Sequence, residues 1–176
     1  EAFYPTVTSN PQRPMVEVKG LTLANGRGHD ISITVRAGEI VGLAGLVGSG
    51  KSEVGRAIFG AEPVLRGSIA IDGRVVTNPS PAEMLSRGVV YIPPDRRAEG
   101  LVSTRSVREN MSLASLDQPA FSRLGLLRRR QERNVVREVA QRLNLRPLNV
   151  ERQVAYFSGG NQQKVVLGRG LTRDVQ

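Results

Sequence analysis

Eight consecutive residues, Gly45-Leu46-Val47-Gly48-Ser49-Gly50-Lys51-Ser52, carry the most specific chemistry in this chain. They fit G-x-x-x-x-G-K-[ST], a pattern in which every fixed position has a task on a polyphosphate. Glycines let the backbone curl so that successive N–H groups face phosphate oxygens. Lys51 supplies a point charge for the β- and γ-phosphates, and Ser52 offers its hydroxyl to Mg²⁺. A helix opening at this point would aim the positive end of its dipole at the same oxygens. A chance match in a chain of this length is roughly a one-in-a-hundred event. The competing readings are a glycine-rich strand-to-helix turn with an accidental Lys-Ser, and a degenerate loop that holds no nucleotide.

A second group stands well downstream, at Phe157-Ser158-Gly159-Gly160-Asn161-Gln162-Gln163-Lys164. A serine and two glycines at a helix start offer a hydroxyl, bare N–H groups and a dipole, which together suit an anion. Alone, the stretch would read as an ordinary helix N-cap. Other chemistries are excluded by composition. The chain has no cysteine and a single histidine, His29, so thiolate sites, disulfides and multi-histidine metal centres are absent from these residues.

The net charge is +9 (25 − 16) and the pI is near 11.1. Such a balance admits nucleic acid, anionic lipid or nucleotide as partner. Only Lys19, Lys51 and Lys164 are lysines, so the basic residues are chiefly scattered arginines. The one run, Arg128-Arg129-Arg130, opens an expected helix and reads as a solvated face. No aromatic–basic interleaving suited to base stacking is present, so nucleic acid is not the expected partner. No stretch approaches the ~20 apolar residues of a membrane helix.

The elements that hold these groups follow from periodicity and punctuation. A strand is expected at Val16-Glu17-Val18 and Leu21-Thr22-Leu23, and Ile31, Ile33 and Val35 alternate as in a half-buried strand. Residues 40–44 form a short apolar run, expected as a buried parallel strand leading into the glycine loop. A helix should run from Lys51 to Phe59 and close at Gly60. Asp72-Gly73 predicts a tight hairpin between Ser68–Ile71 and Arg74–Val76. Capping boxes start helices at Ser80 and Ser106. Val89 to Ile92 is expected as another buried strand, and Asp95 to Thr104 as a charged loop. Helices are expected over about 129–143 and 161–171. Strands, a glycine loop, a helical middle and a return towards the sheet imply an α/β fold.

Through these two motifs together, the chain resembles the ATP-binding-cassette ATPases. Ser158-Gly159-Gly160 is similar to that family's signature motif, and Gly45–Ser52 to its Walker A loop. The wording S-G-G-N-Q-Q-K resembles the bacterial monosaccharide importers of the ribose, galactose and xylose type. Those carry two cassettes per chain, and GLAGLVGSGKSE, YIPPDRRAEGLV and SVRENMSL resemble the second, C-terminal one. Phe3-Tyr4-Pro5 looks like the linker from a first cassette. The resemblance implies a P-loop NTPase of the cassette type, with an antiparallel β subdomain and a helical subdomain over about 105–172. Residues 1–14 would be the linker and 15–176 a partial cassette. It implies ATP and Mg²⁺ at Gly45, Leu46, Val47, Gly48, Ser49, Gly50, Lys51 and Ser52, the last on the metal. Ser158, Gly159, Gly160 and Gln162 would complete the site of a partner cassette. Partners would be the other cassette, transmembrane permease subunits and, indirectly, a periplasmic sugar-binding protein. The location would be the cytoplasmic face of the inner membrane.

Departures from the family pattern shape these expectations. Lys51-Ser52 is intact where many second cassettes have Arg-Thr. Pro94 stands where the family has a Gln or Glu acceptor, which opens the alternative of a regulatory, non-hydrolysing cassette. No aromatic is placed to stack on adenine, and Arg27 and His29 fall nearby. A soluble cassette ATPase of DNA repair or translation is a further alternative, though no long insertion interrupts 45–160. The Walker B aspartate, catalytic glutamate and switch histidine are not among the 176 residues, and Asp174 lacks the apolar run that would make it the Walker B residue. These residues alone are therefore expected to bind nucleotide without turnover, and to expose an apolar sheet edge that favours association.

Overall fold

The computed structural model describes residues 12–173. The linker expected at 1–14 lies mostly outside this range, as do Phe3-Tyr4-Pro5 and Asp174. The chain divides into two compact units, with the boundary between Met84 and Leu85.

The first unit is built on a four-stranded antiparallel sheet of order β2-β1-β3-β4. Its strands are β1 (Pro14–Leu23), β2 (Ile31–Arg36), β3 (Val64–Ile71) and β4 (Arg74–Val76). Ile31, Ile33 and Val35 of β2 alternate with exposed residues as their period-2 pattern requires. In β1 the pairing slips between Val18 and Leu21. Asp72 and Gly73 take φ of 49° and 73°, the positive values a two-residue turn between β3 and β4 demands. Helix α1 (Lys51–Ile58) buries Val54 and Ala57, which join Val18, Leu21, Leu23, Ile69 and Ile71 in the core. Helix α2 (Pro81–Ser86) begins where Ser80 Oγ accepts the Glu83 N–H at 3.2 Å.

The second unit is helical. Its core gathers α3 (Val107–Ser112), α4 (Arg129–Arg142) and α5 (Gly159–Leu171) around Met111, Phe121, Val136, Val139, Val154 and Val165. A two-stranded hairpin, β5 (Ser122–Arg123) with β6 (Leu126–Leu127), precedes α4. Gly168 of α5 lies against Met111; a Cβ there would come within 2.6 Å of the methionine side chain. That close approach lets α3 and α5 share one core.

Three expectations are corrected. Residues 40–44 and 89–92 are not strands, and Ile40 is 86% exposed. A parallel strand exists only through a ladder of hydrogen bonds to an adjacent strand, and neither segment joins a sheet among the described residues. The expected loop from Asp95 instead forms one π-helical turn over Arg96–Gly100, because the Asp95 carboxylate accepts the N–H groups of Arg97 and Ala98. Strand β3 also starts at Val64, ahead of the expected Ser68.

Candidate functional site

The glycine loop connects residue 44 to α1 within the first unit. Gly48 and Gly50 adopt φ of 84° and 87°, and Gly50 is the N-cap of α1 with no side chain capping the helix. The amides of Gly50, Lys51 and Ser52 consequently have no hydrogen-bond acceptor among the described residues, whereas Val54 N–H already donates to Gly50 O at 3.0 Å. These are the orphan donors of a helix start, and they cluster where an anion is favoured. Lys51 folds back over the loop, its Nζ donating to the carbonyls of Gly45 (3.1 Å) and Leu46 (3.0 Å). A short polyphosphate would offer the ammonium stronger, charge-assisted acceptors than these carbonyls. Ser52 is exposed beside it. Leu46 and Val47 lie on the open rim of the loop. The donor set therefore fits a phosphate, and the exposed Ser52 adds a hydroxyl next to Lys51 in the chain.

The loop is shaped from beneath by residues that the motif does not contain. A Cβ on Gly50 would meet Arg27 O at 1.9 Å, so the 25–28 turn is packed directly against the loop. That turn is fixed by Asn25 Oδ1, which accepts Arg27 N–H at 2.9 Å, and by Arg27 Nη1 donating to Glu53 Oε1 at 2.9 Å. The Arg27 hydrogen bond, with help from the charges of Arg27 and Arg56, holds the Glu53 carboxyl below the ordinary carboxylate range. Arg27 is thus committed to Glu53, and His29 is exposed. The Arg27–Glu53 pair escaped sequence reasoning because its partners lie 26 residues apart with no pattern linking them.

The second group belongs to the other unit. Ser158 is the N-cap of α5 in extended conformation, but its side chain caps no backbone N–H; Oγ instead accepts from Asn161 Nδ2 at 3.1 Å. Asn161 Oδ1 in turn accepts Arg146 N–H. Gly159 lies under the Arg96 guanidinium, with Nη2 only 2.7 Å from where a Cβ would sit. Gln162 is buried; Nε2 donates to Val154 O at 3.3 Å, and Oε1 accepts from Arg96 Nε at 3.5 Å. Ser158, Gly159, Gly160 and Arg96 thus lie together around the positive end of α5, while Gln162 is turned inward. Arg96 was not selected from the sequence; its side chain is brought to α5 by the π-helical turn. Pro94 is exposed and offers no side-chain acceptor, and the neighbouring Asp95 carboxyl is held below its usual range by the Ala98 and Arg97 N–H groups.

The family model described as ABC transporter matches residues 28–176. The chain belongs to the ABC transporter family. This ABC transporter chain is 43% identical over 171 residues to the ribose import ATP-binding protein RbsA 1 of Rubrobacter xylanophilus, covering 97% of this chain and 34% of that protein. It is 40% identical over 147 residues to the arabinose import ATP-binding protein AraG of Mannheimia succiniciproducens, covering 84% and 29%. The chain therefore spans about a third of the length of the curated relatives it matches. Among solved structures, a nucleotide-free ATP-binding cassette from an ABC transporter superposes with a TM-score of 0.71 at 21% identity, covering 91% of this chain and 65% of that one. A dimeric cassette in a post-hydrolysis state bound to ADP and Pi superposes with a TM-score of 0.71 at 22% identity, covering 92% and 71%. At these identities the likeness is one of fold, and the fold is that of a cassette. No helix among the described residues is long and apolar enough to cross a membrane.

Proposed function

We propose that the protein carrying this chain is the ATP-binding subunit of a bacterial sugar importer, and that this chain is part of its second cassette. The reading is carried by the glycine loop: three acceptor-less amides at the start of α1 beside an ammonium that now rests only on carbonyls. In it, Gly45 to Ser52 hold the nucleotide phosphates, Lys51 neutralises the terminal ones, and Ser52 takes Mg²⁺. Ser158, Gly159 and Gly160 engage the nucleotide of a partner cassette, and Arg96 adds a positive charge at that point. Gln162 acts as a positioning residue, since its amide ties α5 to Val154 and Arg96. ATP supplies the driving free energy by closing two cassettes on each other. Transmembrane permease subunits and, indirectly, a periplasmic sugar-binding protein complete the machine, at the cytoplasmic face of the membrane. The names of the relatives favour import over the alternative of a soluble ATPase of DNA repair or translation.

The test is nucleotide binding and sugar uptake by the full-length protein. Lys51→Ala should weaken ATP binding by at least about tenfold, a loss in keeping with removal of one charge-assisted contact. ATP affinity unchanged by Lys51→Ala would overturn the assignment of the loop.

A specific observation supports a second reading, a regulatory cassette that binds ATP without hydrolysing it. Pro94 has no side-chain acceptor, and the Asp95 carboxylate is already occupied by two backbone N–H groups. Trapping of labelled nucleotide at the Lys51 loop in the intact transporter separates the two: retained ATP supports regulation, and retained ADP supports hydrolysis.

A further inference from the structure

The β5–β6 hairpin has no part in the nucleotide reading, and its composition is unusual for a turn facing solvent. Its base is pinned to the helical unit. Phe121 is buried in the core, Ser122 Oγ donates to Leu116 O at 2.5 Å, and Arg128 N–H donates back to Phe121 O at 2.9 Å. The strands pair Ser122 with Leu127 and Arg123 with Leu126, which leaves Leu124 and Gly125 as the turn.

A two-residue turn of this kind needs positive φ at both positions, and Asn-Gly is the usual solution. Here Leu124 takes φ of 52° and Gly125 78°. A leucine in the left-handed region is strained by its Cβ. This one is also 95% exposed, with Leu126 at 75% and Leu127 exposed beside it. Backbone strain and apolar hydration thus coincide on one residue, and asparagine would remove both.

The surroundings are strongly basic. Between residues 119 and 138 stand six arginines and two acids, a net +4 (6 − 2). Glu132 is buried and bonded to Arg108 and Ser112, so Glu138 is the one exposed acid of this stretch. Arg128 and Arg133 have partners in Pro119 O and Glu151. The side chains of Arg123, Arg129 and Arg130 are exposed and make no hydrogen bond or ion pair among the described residues.

We propose that this hairpin is a docking element for an anionic lipid surface. Leu124, Leu126 and Leu127 enter the interfacial zone of the bilayer, and Arg123, Arg129 and Arg130 engage headgroup phosphates. Exposed leucines beside unneutralised arginines match both halves of such a surface: apolar burial at the acyl boundary and attraction to the negative leaflet. The guanidinium fork suits phosphate oxygens. A nucleic acid would use the arginines but leave the leucines in water, and residues 122–127 contain no aromatic side chain on which a base could stack. The proposal is independent of whether the glycine loop binds nucleotide.

The experiment is vesicle flotation with the full-length protein and no other protein present. Vesicles of phosphatidylcholine alone are compared with vesicles doped with phosphatidylglycerol. Binding is expected to the doped vesicles only, and to weaken with salt. Replacing Arg123, Arg129 and Arg130 together by Gln should lower the affinity on the order of a hundredfold, about fivefold per arginine. Leu124→Asn relieves the turn, so the thermal midpoint should hold or rise while vesicle affinity falls about tenfold. No flotation of the parent protein, equal flotation with neutral vesicles, or full retention by both variants would overturn the proposal. So would variants that keep vesicle binding but lose a permease subunit in co-purification, because the hairpin would then serve a protein partner.

Discussion

At Gly50 the requirement for glycine is double. Its φ of 87° is strained for any side chain, and a Cβ would sit 1.9 Å from Arg27 O, a backbone atom that cannot swing aside. Gly50→Ala should therefore destabilise the first unit by about 2–4 kcal/mol, measured by urea denaturation, and abolish nucleotide binding in the same sample. Glu132 poses the opposite problem, a carboxylate only 2% exposed. It accepts from Arg108 Nη1 at 2.7 Å and from Ser112 Oγ at 2.6 Å, so α4 is joined to α3 by charge inside the core. Glu132→Ala leaves the Arg108 guanidinium only Glu151 and leaves Ser112 Oγ only its long 3.4 Å bond to Glu109 O, and should cost about 3 kcal/mol. Glu132→Gln keeps an oxygen for Ser112 and should cost less. Equal losses in the two variants would show that volume, not the polar contact, holds the helices. Glu132 reads in the sequence as one more charge in a basic helix; only packing reveals that it faces inward.

Among the elements, α3 is too short to persist by propensity alone. Its capping box is complete: Ser106 Oγ accepts Glu109 N–H at 3.2 Å, and Glu109 Oε2 accepts Ser106 N–H at 2.9 Å. Ser106→Ala should cost about 1 kcal/mol in thermal or chemical unfolding. The Ser106 N–H and hydroxyl hold the Glu109 carboxyl below its ordinary value of 4.5. Asp117 is lowered by its bond from Arg173. For Glu151, bonds from Arg133 and Arg108 outweigh burial, which acts the other way. A carboxyl depressed in the folded state adds stability that is complete above its unfolded value and is lost as pH falls through its folded value. The helical unit should thus hold its stability above about pH 4.5 and lose it progressively below, with a shallower decline in Ser106→Ala when followed by circular dichroism. The caps, α1 and the Asp72-Gly73 turn were legible because each rests on contacts within a few residues. The β5–β6 hairpin was not, since Leu-Gly is no hairpin signal and its register depends on Phe121 and Arg128 being held by the core.

For the whole molecule, apolar segments without strand partners matter most. Ile40, Val41 and Leu43 lead into the glycine loop yet are exposed. A chain confined to residues 1–176 should therefore self-associate, seen as concentration-dependent mass in light scattering, and Ile40→Lys should reduce it. A monodisperse parent chain would count against this. The sequence by itself determined the family, the glycine loop proposed for phosphate and the Ser158-Gly159-Gly160 group, because in each the pattern is written in adjacent residues and the backbone does the work. Period and punctuation also gave the strands at 16–23 and 31–35, the hairpin at Asp72-Gly73 and the helices, while the antiparallel sheet and helical subdomain came only with the family resemblance. Only the tertiary structure decided that Arg27 lies against Gly50, that Arg96 reaches Gly159, that Gln162 points inward and that Glu132 is buried. It also decided that residues 40–44 and 89–92 form no strand among the described residues, because a strand is a property of two segments and their ladder of hydrogen bonds, not of one apolar run. Contacts between residues far apart in the chain leave no period to read, and they are the ones that pack Arg27 against the glycine loop and bring Arg96 to the start of α5.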